Sequence, residues 1–232
     1  VRAPTNVVCV CTGTKYSPGY VKKLHNSVAL HASEDFRFHL LTDDPAWLLP
    51  EGRVIPAPGK GVTGYWNKLA LFKPNAFERG ERVLYFDLDV LVRGPLDSLF
   101  ANRDPFVMAR DGIYPHRCNS SVMSWTVSGA TEEIWRAWLD SGKPLSRALQ
   151  DSKGDQAWIE RTLLHAGTPP ALWQDVCPGA VVPYYGPGPD PTVPATWTRL
   201  EDPGSASVVV FHGKPRLHEL ATTIPWVRSA WR

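Results

Sequence analysis

No stretch of the chain approaches the ~18 consecutive apolar residues of a membrane-spanning helix. The chain does not open with the charged-then-apolar pattern of a secretory segment. Like charges never gather into a block, and the formal net charge is only +2. That is too mild to argue for a nucleic-acid partner. Cysteine is scarce: Cys9, Cys11, Cys118 and Cys177 are the four, and no two stand in C-x-x-C spacing. Zinc and dithiol redox sites of that type are therefore not expected. Cys9 and Cys11, two apart on an apolar run, read as small core hydrophobes facing one side. Reduced thiols point to a cytoplasmic setting. No internal repeat and no clear linker is visible, so a single domain over residues 1–232 is expected.

What the chain does have is aromatic and proline-rich. Among 232 residues there are ten Trp and twenty-two Pro, with 43% hydrophobic and 21% charged residues. That is ample for a packed α/β core. Most of the Trp are expected in the core. Prolines cluster from Pro169 to Pro203, interrupted by Trp173, Tyr184, Tyr185 and Trp197. This reads as a loop-rich but anchored segment, and acceptor specificity is expected between Pro169 and Trp197.

The N-terminal pattern is β-α-β. Residues 6–11 form a β-branched apolar run, a buried parallel strand. Ser17-Pro18 reads as a helix start, and Val21, Leu24, His25 and Val28 then repeat at helical spacing. Residues 36–42 form a second strand, which implies a parallel pair with a right-handed crossover. Further strands are expected at 53–55, 82–86, 106–109, 121–125 and 207–211, and helical segments at 65–72, 131–139 and 155–165. The fold class expected is α/β, an open mixed and mostly parallel sheet with helices on both faces. The loop Gly59 to Gly64 carries three glycines and is expected to close over a ligand.

The feature that carries chemistry is the run Arg82-Val83-Leu84-Tyr85-Phe86-Asp87-Leu88-Asp89-Val90-Leu91-Val92. Two carboxylates in an apolar run are costly unless paired, hydrogen-bonded or metal-bound. If strand geometry persists through Leu88, Asp87 and Asp89 point the same way. They then converge at a strand's carboxyl end, where open α/β sheets bind ligands. Such a pair suits a hard divalent cation. The plain alternative is a strand end whose aspartates start a turn. A second alternative is the nucleophile strand of a haloacid-dehalogenase-type phosphatase, with Asp87 attacking phosphorus. That motif normally sits on the first strand, whereas here strands precede it, and Gly154-Asp155 has no second acid before Glu160.

Several segments together resemble the core of family 8 and related glycosyltransferases. They are Tyr65-Trp66-Asn67-Lys68-Leu69, the Arg82–Val92 run, Pro95-Leu96-Asp97-Ser98-Leu99-Phe100, Asn119-Ser120-Ser121, Asp155-Gln156 and Phe211-His212-Gly213-Lys214-Pro215. They occur in the family's order across the chain. Two departures are Ser121 where Gly is common, and Arg216 after a shortened last element where Trp is usual. The resemblance implies a GT-A fold, a nucleotide-sugar donor, usually a UDP-sugar, with Mn²⁺ or Mg²⁺, and transfer with retention.

The resemblance also implies roles. Asp87, Asp89 and His212 would hold the metal, with Leu88 between the carboxylates against the donor. Lys68 and Lys214 would contact the phosphates, with Gly213 beside Lys214. Thr12, Gly13, Thr14 and Tyr16 would meet base and ribose, and Asp43 would reach the nucleoside. Asn119 and Ser120 would line the sugar pocket. Asp155 and Gln156 would bind the donor sugar, Asp155 as the candidate catalytic group. The partners expected are the donor and a carbohydrate, lipid-linked or other acceptor. A non-catalytic sugar-nucleotide or carbohydrate-binding protein of the same fold remains a third reading. A nucleotidyltransferase is disfavoured because Thr12-Gly13-Thr14-Lys15 is not the Gly- and Arg-rich loop it needs.

Overall fold

The chain threads β1 Thr5–Cys11, α1 Pro18–His31, β2 Phe36–Thr42, β3 Val54–Pro56, a 3₁₀ helix Gly64–Phe72, β4 Arg82–Phe86 and β5 Val90–Val92. Next come α2 Asp97–Ala101, β6 Phe106–Arg110, β7 Cys118–Thr126, α3 Gly129–Asp140, α4 Asp155–His165, β8 Ala171–Leu172 and α5 Trp173–Val176. The last elements are β9 Val181–Pro183, β10 Tyr185–Gly186, β11 Thr198–Arg199, β12 Val208–Val210, α6 Leu217–Thr223 and α7 Pro225–Ala230. This computed structural model describes residues 3–44, 46, 53–59, 62–142, 154–186, 198–199, 202–211 and 215–232.

The period-two pattern of β1 decides the layering. Val7, Cys9 and Cys11 enter one core, and Val8 enters the other. A strand buried on both faces must be central in its sheet, and an apolar run without polar alternation is what such a strand requires. The order is β3-β2-β1-β4-β7-β6-β8. β1 pairs parallel with β2 and β4, and β2 with β3, whereas β7 runs antiparallel to both β4 and β6. The sheet is therefore mixed and mostly parallel, as expected.

One face is covered by α1 through Tyr20, Val21, Leu24 and Val28, and by Leu217, Leu220 and Val227 from the C-terminal helices. The other is covered by Leu69–Phe72 of the 3₁₀ helix, by Ile134, Trp135 and Trp138 of α3, and by Trp158, Ile159 and Leu163 of α4. Trp66, Trp125, Trp135, Trp138, Trp158 and Trp173 are buried, so the core reading of the tryptophans holds. Each fully buried large apolar side chain contributes about 1.5–3 kcal/mol.

Four local expectations need correction. Strand geometry does not persist through the acidic pair: β4 ends at Phe86, and Asp87-Leu88-Asp89 is a turn closed by Val90 N–H donating to Asp87 O at 3.4 Å. The chain leaves the main sheet there, and β5 joins a different one. The late strand is β12, and it lies in that second, three-stranded sheet, β5-β12-β9, rather than in the main one. The helical segment before Phe72 is a 3₁₀ helix, with every residue from Trp66 to Phe72 buried. The helix at Thr131 starts two residues early, where Ser128 and Thr131 form a reciprocal capping box.

Candidate active site

Parallel strands β1, β2 and β4 deliver their carboxyl ends to one edge of the sheet. The loop after β1, Asp43 after β2 and the acidic turn after β4 therefore meet there. Antiparallel β7 begins at the same edge, and Asp87 N–H donates to Ser121 O at 2.8 Å. The result is a cleft of about 280 Å³ lined by Thr12, Lys15, Tyr16, Tyr65, Lys68, Tyr85, Asp87, Leu88, Asp89, Ser120, Ser121, Asp155 and Gln156, among others. A larger hollow of about 1000 Å³ lies at the opposite strand ends, around Asn6, His39 and Arg53. It shares none of the residues that carry chemistry.

Lys68 is the centre of the site. Its side chain is 4% exposed, and Nζ lies 3.0 Å from Asp155 Oδ2 and 3.1 Å from Asp87 Oδ1. The ammonium also donates to Ser120 O at 3.2 Å and to Ser120 Oγ at 2.9 Å. Burial works against the Lys68 charge, but Asp155 and Asp87 together hold its pKa above the ordinary lysine value. Asp155 is the first residue of α4, placed by Gly154, whose φ of +91° is the left-handed region that glycine favours. Ser120 Oγ donates to Asp155 Oδ2 at 2.7 Å.

The acidic turn is held by two phenols. Tyr16 Oη donates to Asp89 Oδ2 at 2.7 Å, and Tyr85 Oη donates to Asp87 Oδ1. Burial and the neighbouring Asp87 raise the Asp89 pKa, against the lowering effects of the Tyr16 hydrogen bond and of Lys15 and Lys68. Burial, then Asp89, pushes the Tyr16 phenol far above the ordinary tyrosine range. The Tyr16 phenol is therefore held in its protonated, donating form beside Asp89.

The other expected residues divide clearly. Thr12 lines the cleft and accepts from Asn67 Nδ2 at 3.1 Å. Gly13, at φ +64°, donates its N–H to Asp43 Oδ2 at 2.9 Å, so Asp43 fastens the loop after β1. Thr14 is exposed and outside the lining. Lys15 Nζ stands 4.5 Å from the centre of the Tyr16 ring, a surface that a stacked base would need. Asn119 turns inward, its Oδ1 accepting from Ser121 N–H at 2.9 Å, and it does not line the cleft. Gln156 reaches Asp111 Oδ2 at 3.4 Å.

His212, Gly213 and Lys214 lie outside the described residues, as do Lys60 and Gly61 of the glycine loop and residues 187–197 of the proline-rich segment. Among the described residues no group of three His, Cys, Asp or Glu is arranged to hold a metal. The backbone of Phe211 is nevertheless fastened to the acidic turn, its N–H donating to Asp89 O at 3.2 Å. Tyr85 and Tyr65 are site residues that sequence reasoning passed over. Tyr85 stands two residues before Asp87, and that period-two spacing was the available signal. Tyr65 is 56% exposed and packs over Gly154.

No protein-family model matches this chain, and no curated protein sequence matches it. Solved structures do resemble it. The galactosyltransferase LgtC, determined in complex with donor and acceptor sugar analogs, superposes with a TM-score of 0.58 at 14% identity, over 98% of this chain and 97% of that one. The bifunctional glycosyltransferase WbbM gives 0.60 at 11% identity, over 100% of this chain and 52% of that one. The glycosyltransferase GlyE of Streptococcus pneumoniae TIGR4 gives 0.55 at 17% identity, over 76% of this chain and 47% of that one. The chain thus spans about half of GlyE and WbbM and nearly all of LgtC. The shared feature is the fold, the GT-A type.

Proposed function

We propose that this chain is a glycosyltransferase that moves a sugar from a nucleoside-diphosphate donor, a UDP-sugar by family resemblance, to an acceptor, with a divalent cation and with retention. The observation that carries this reading is the gathering of Asp87 and Asp155 on the buried Lys68 ammonium, with Asp89 in the same cleft, on a fold similar to glycosyltransferases.

The donor set suits a divalent cation. Asp87 and Asp89 are hard oxygen donors, and burial, followed by the neighbouring Asp87, works against the Asp89 charge, which a cation would stabilise. Mn²⁺ or Mg²⁺ commonly takes one or two carboxylates and completes its shell from phosphates and water. His212 is the proposed third ligand, one residue beyond Phe211, whose N–H is bonded to Asp89 O. When bound, the cation supplies charge neutralisation as the diphosphate leaves.

The chain's own residues do the rest. Asp155, held by Lys68 and Ser120, presents a fixed carboxylate to the sugar side of the cleft, where positive charge develops at the anomeric carbon. Lys68 sets the separation of Asp87 and Asp155, and so of the phosphate and sugar subsites. Thr12, Tyr16 and the Gly13–Asp43 tether form the nucleoside side. Lys214 and Gly213 are proposed at the phosphates, and Gln156 beside the sugar.

Calorimetric titration with UDP, GDP and ADP, with and without Mn²⁺, tests the reading. Metal-dependent binding that Asp89→Ala abolishes is the expected result. Equal binding without metal counts against it. Metal-dependent binding with no donor turnover favours a non-catalytic binding protein, and phosphate release from simple monoesters favours the phosphatase.

A further inference from the structure

The two carboxylates of the acidic turn are each met by one phenol, and the phenols come from different elements. Tyr85 is the penultimate residue of β4, two before Asp87, and is 1% exposed. Tyr16 belongs to the loop between β1 and α1 and reaches Asp89 across the cleft. Its ring is wedged by Tyr20, with centroids 5.0 Å apart. Lys15 Nζ approaches the same Asp89 Oδ2 only to 3.9 Å.

We propose that Tyr16 and Tyr85 are positioning residues for cation binding, each fixing one carboxylate of the Asp87–Asp89 pair in the orientation a divalent cation requires. The proposal rests on the reading of that pair as cation ligands. A free carboxylate at a turn rotates about its side-chain bonds, and a ligand that must first be ordered binds its cation less tightly. One hydrogen bond to a single oxygen stops that rotation and leaves the other oxygen available. For Asp89 this is the situation found: Oδ2 takes the Tyr16 and Lys15 contacts, and among the described residues Oδ1 takes no hydrogen bond.

A phenol also suits the task in its charge. It orders the carboxylate without cancelling its negative charge, so the attraction for a cation is retained. Lysine at the same place would neutralise it, as Lys68 partly does at Asp87. Hydrogen bonds behind metal ligands typically contribute 10–100-fold in affinity. Tyr16 further ties the nucleoside-side loop to the acidic turn, so the two halves of the cleft hold one relative position.

The test uses the whole chain and Mn²⁺ alone, with free Mn²⁺ read by electron paramagnetic resonance and no nucleotide present. Tyr16→Phe and Tyr85→Phe remove one oxygen each and keep the rings. Each is expected to weaken Mn²⁺ binding by roughly 10-fold or more, with the unfolding midpoint of metal-free Tyr16→Phe close to that of the parent. Tyr16 is half-buried on a loop, so that variant decides the matter should Tyr85→Phe fail to fold. Unchanged or tighter Mn²⁺ binding by Tyr16→Phe overturns the proposal. Asp89→Asn separates the two levels. If it binds Mn²⁺ as the parent does, the cation reading itself has failed. If it loses binding while Tyr16→Phe does not, only the role of the phenol has failed.

Discussion

The Lys68 ammonium lies 3.0 Å from Asp155 Oδ2, joining the 3₁₀ helix to the first residue of α4. The same nitrogen meets Asp87 at 3.1 Å. One buried cation thus sets the distance between two acids that belong to different elements of the fold.

Removing that cation leaves two carboxylates facing each other without a counter-charge between them. Lys68→Met is expected to cost about 3–5 kcal/mol of stability, the usual penalty for breaking a buried pair by deleting one partner. Urea unfolding measures it. In a double-mutant cycle, Lys68→Met combined with Asp155→Asn should recover part of the loss. Strict additivity of the two changes would mean that the ion pair contributes nothing.

Asp155→Asn keeps the shape of the side chain and the bond from Ser120. Nucleoside-diphosphate binding with Mn²⁺ should be retained, because the carboxylates proposed to hold the metal, Asp87 and Asp89, are untouched. Donor turnover should fall by at least ~100-fold, the scale of losing one preorganised electrostatic group. Steady-state assay beside calorimetry separates the two quantities. A parallel loss of binding would place Asp155 on the nucleotide and not on the sugar.

His39 gives the fold an acid sensitivity unrelated to the cleft. Its Nδ1 accepts from Arg53 N–H at 3.2 Å, so the proton sits on Nε2, which bonds Asn6 Oδ1 at 2.9 Å. Burial, followed by the nearby Arg53, lowers its pKa to about 4 against an ordinary value of 6.5. The unfolded chain therefore binds a proton between these values and the native chain does not. This stability is complete above the unfolded value and is lost as pH falls from 6.5 towards about 4. Urea midpoints across that window should decline, and His39→Gln should flatten this part of the decline.

Two buried indoles offer a matched comparison. Trp173 Nε1 donates to Val122 O at 3.2 Å, whereas Trp138 Nε1 is buried without an acceptor among the described residues. Both lose similar volume on substitution by Phe. Trp173→Phe should therefore be the costlier change, by about 1 kcal/mol, because it alone breaks a hydrogen bond. Equal unfolding midpoints would show that the bond has no net value.

Much of the fold was legible before any coordinates. The β1-α1-β2 unit follows from apolar runs and helical spacing, and α4 begins at Asp155 as its pattern implied. Burial periodicity reports which way a side chain faces, and that is enough to place Val7, Cys9 and Cys11 on one side of the sheet. It does not report where a strand stops. The run from Val83 to Val92 is apolar throughout except at the acids, so nothing in it distinguishes one long strand from two strands in separate sheets. The site was legible as a set of residues more than as an arrangement. Asp43, expected at the nucleoside, accepts from Gly13 N–H and so fastens the loop after β1, a contact that no local pattern announces. Asn119 satisfies its own strand start.

The sequence by itself determined the chemistry available at this sheet edge: acids at 87, 89 and 155, a lysine at 68 and tyrosines at 16 and 85. It also determined the central, doubly buried β1, because a continuous apolar run without polar alternation can be satisfied only by cover on both faces. Tertiary structure alone decided which charge meets which. Lys68 finds Asp155, Asp87 and Ser120, and Tyr16 finds Asp89, across separations that local pattern does not encode. Partner choice at that range is settled by how strand order brings loop ends together, and strand order is a property of the packed whole.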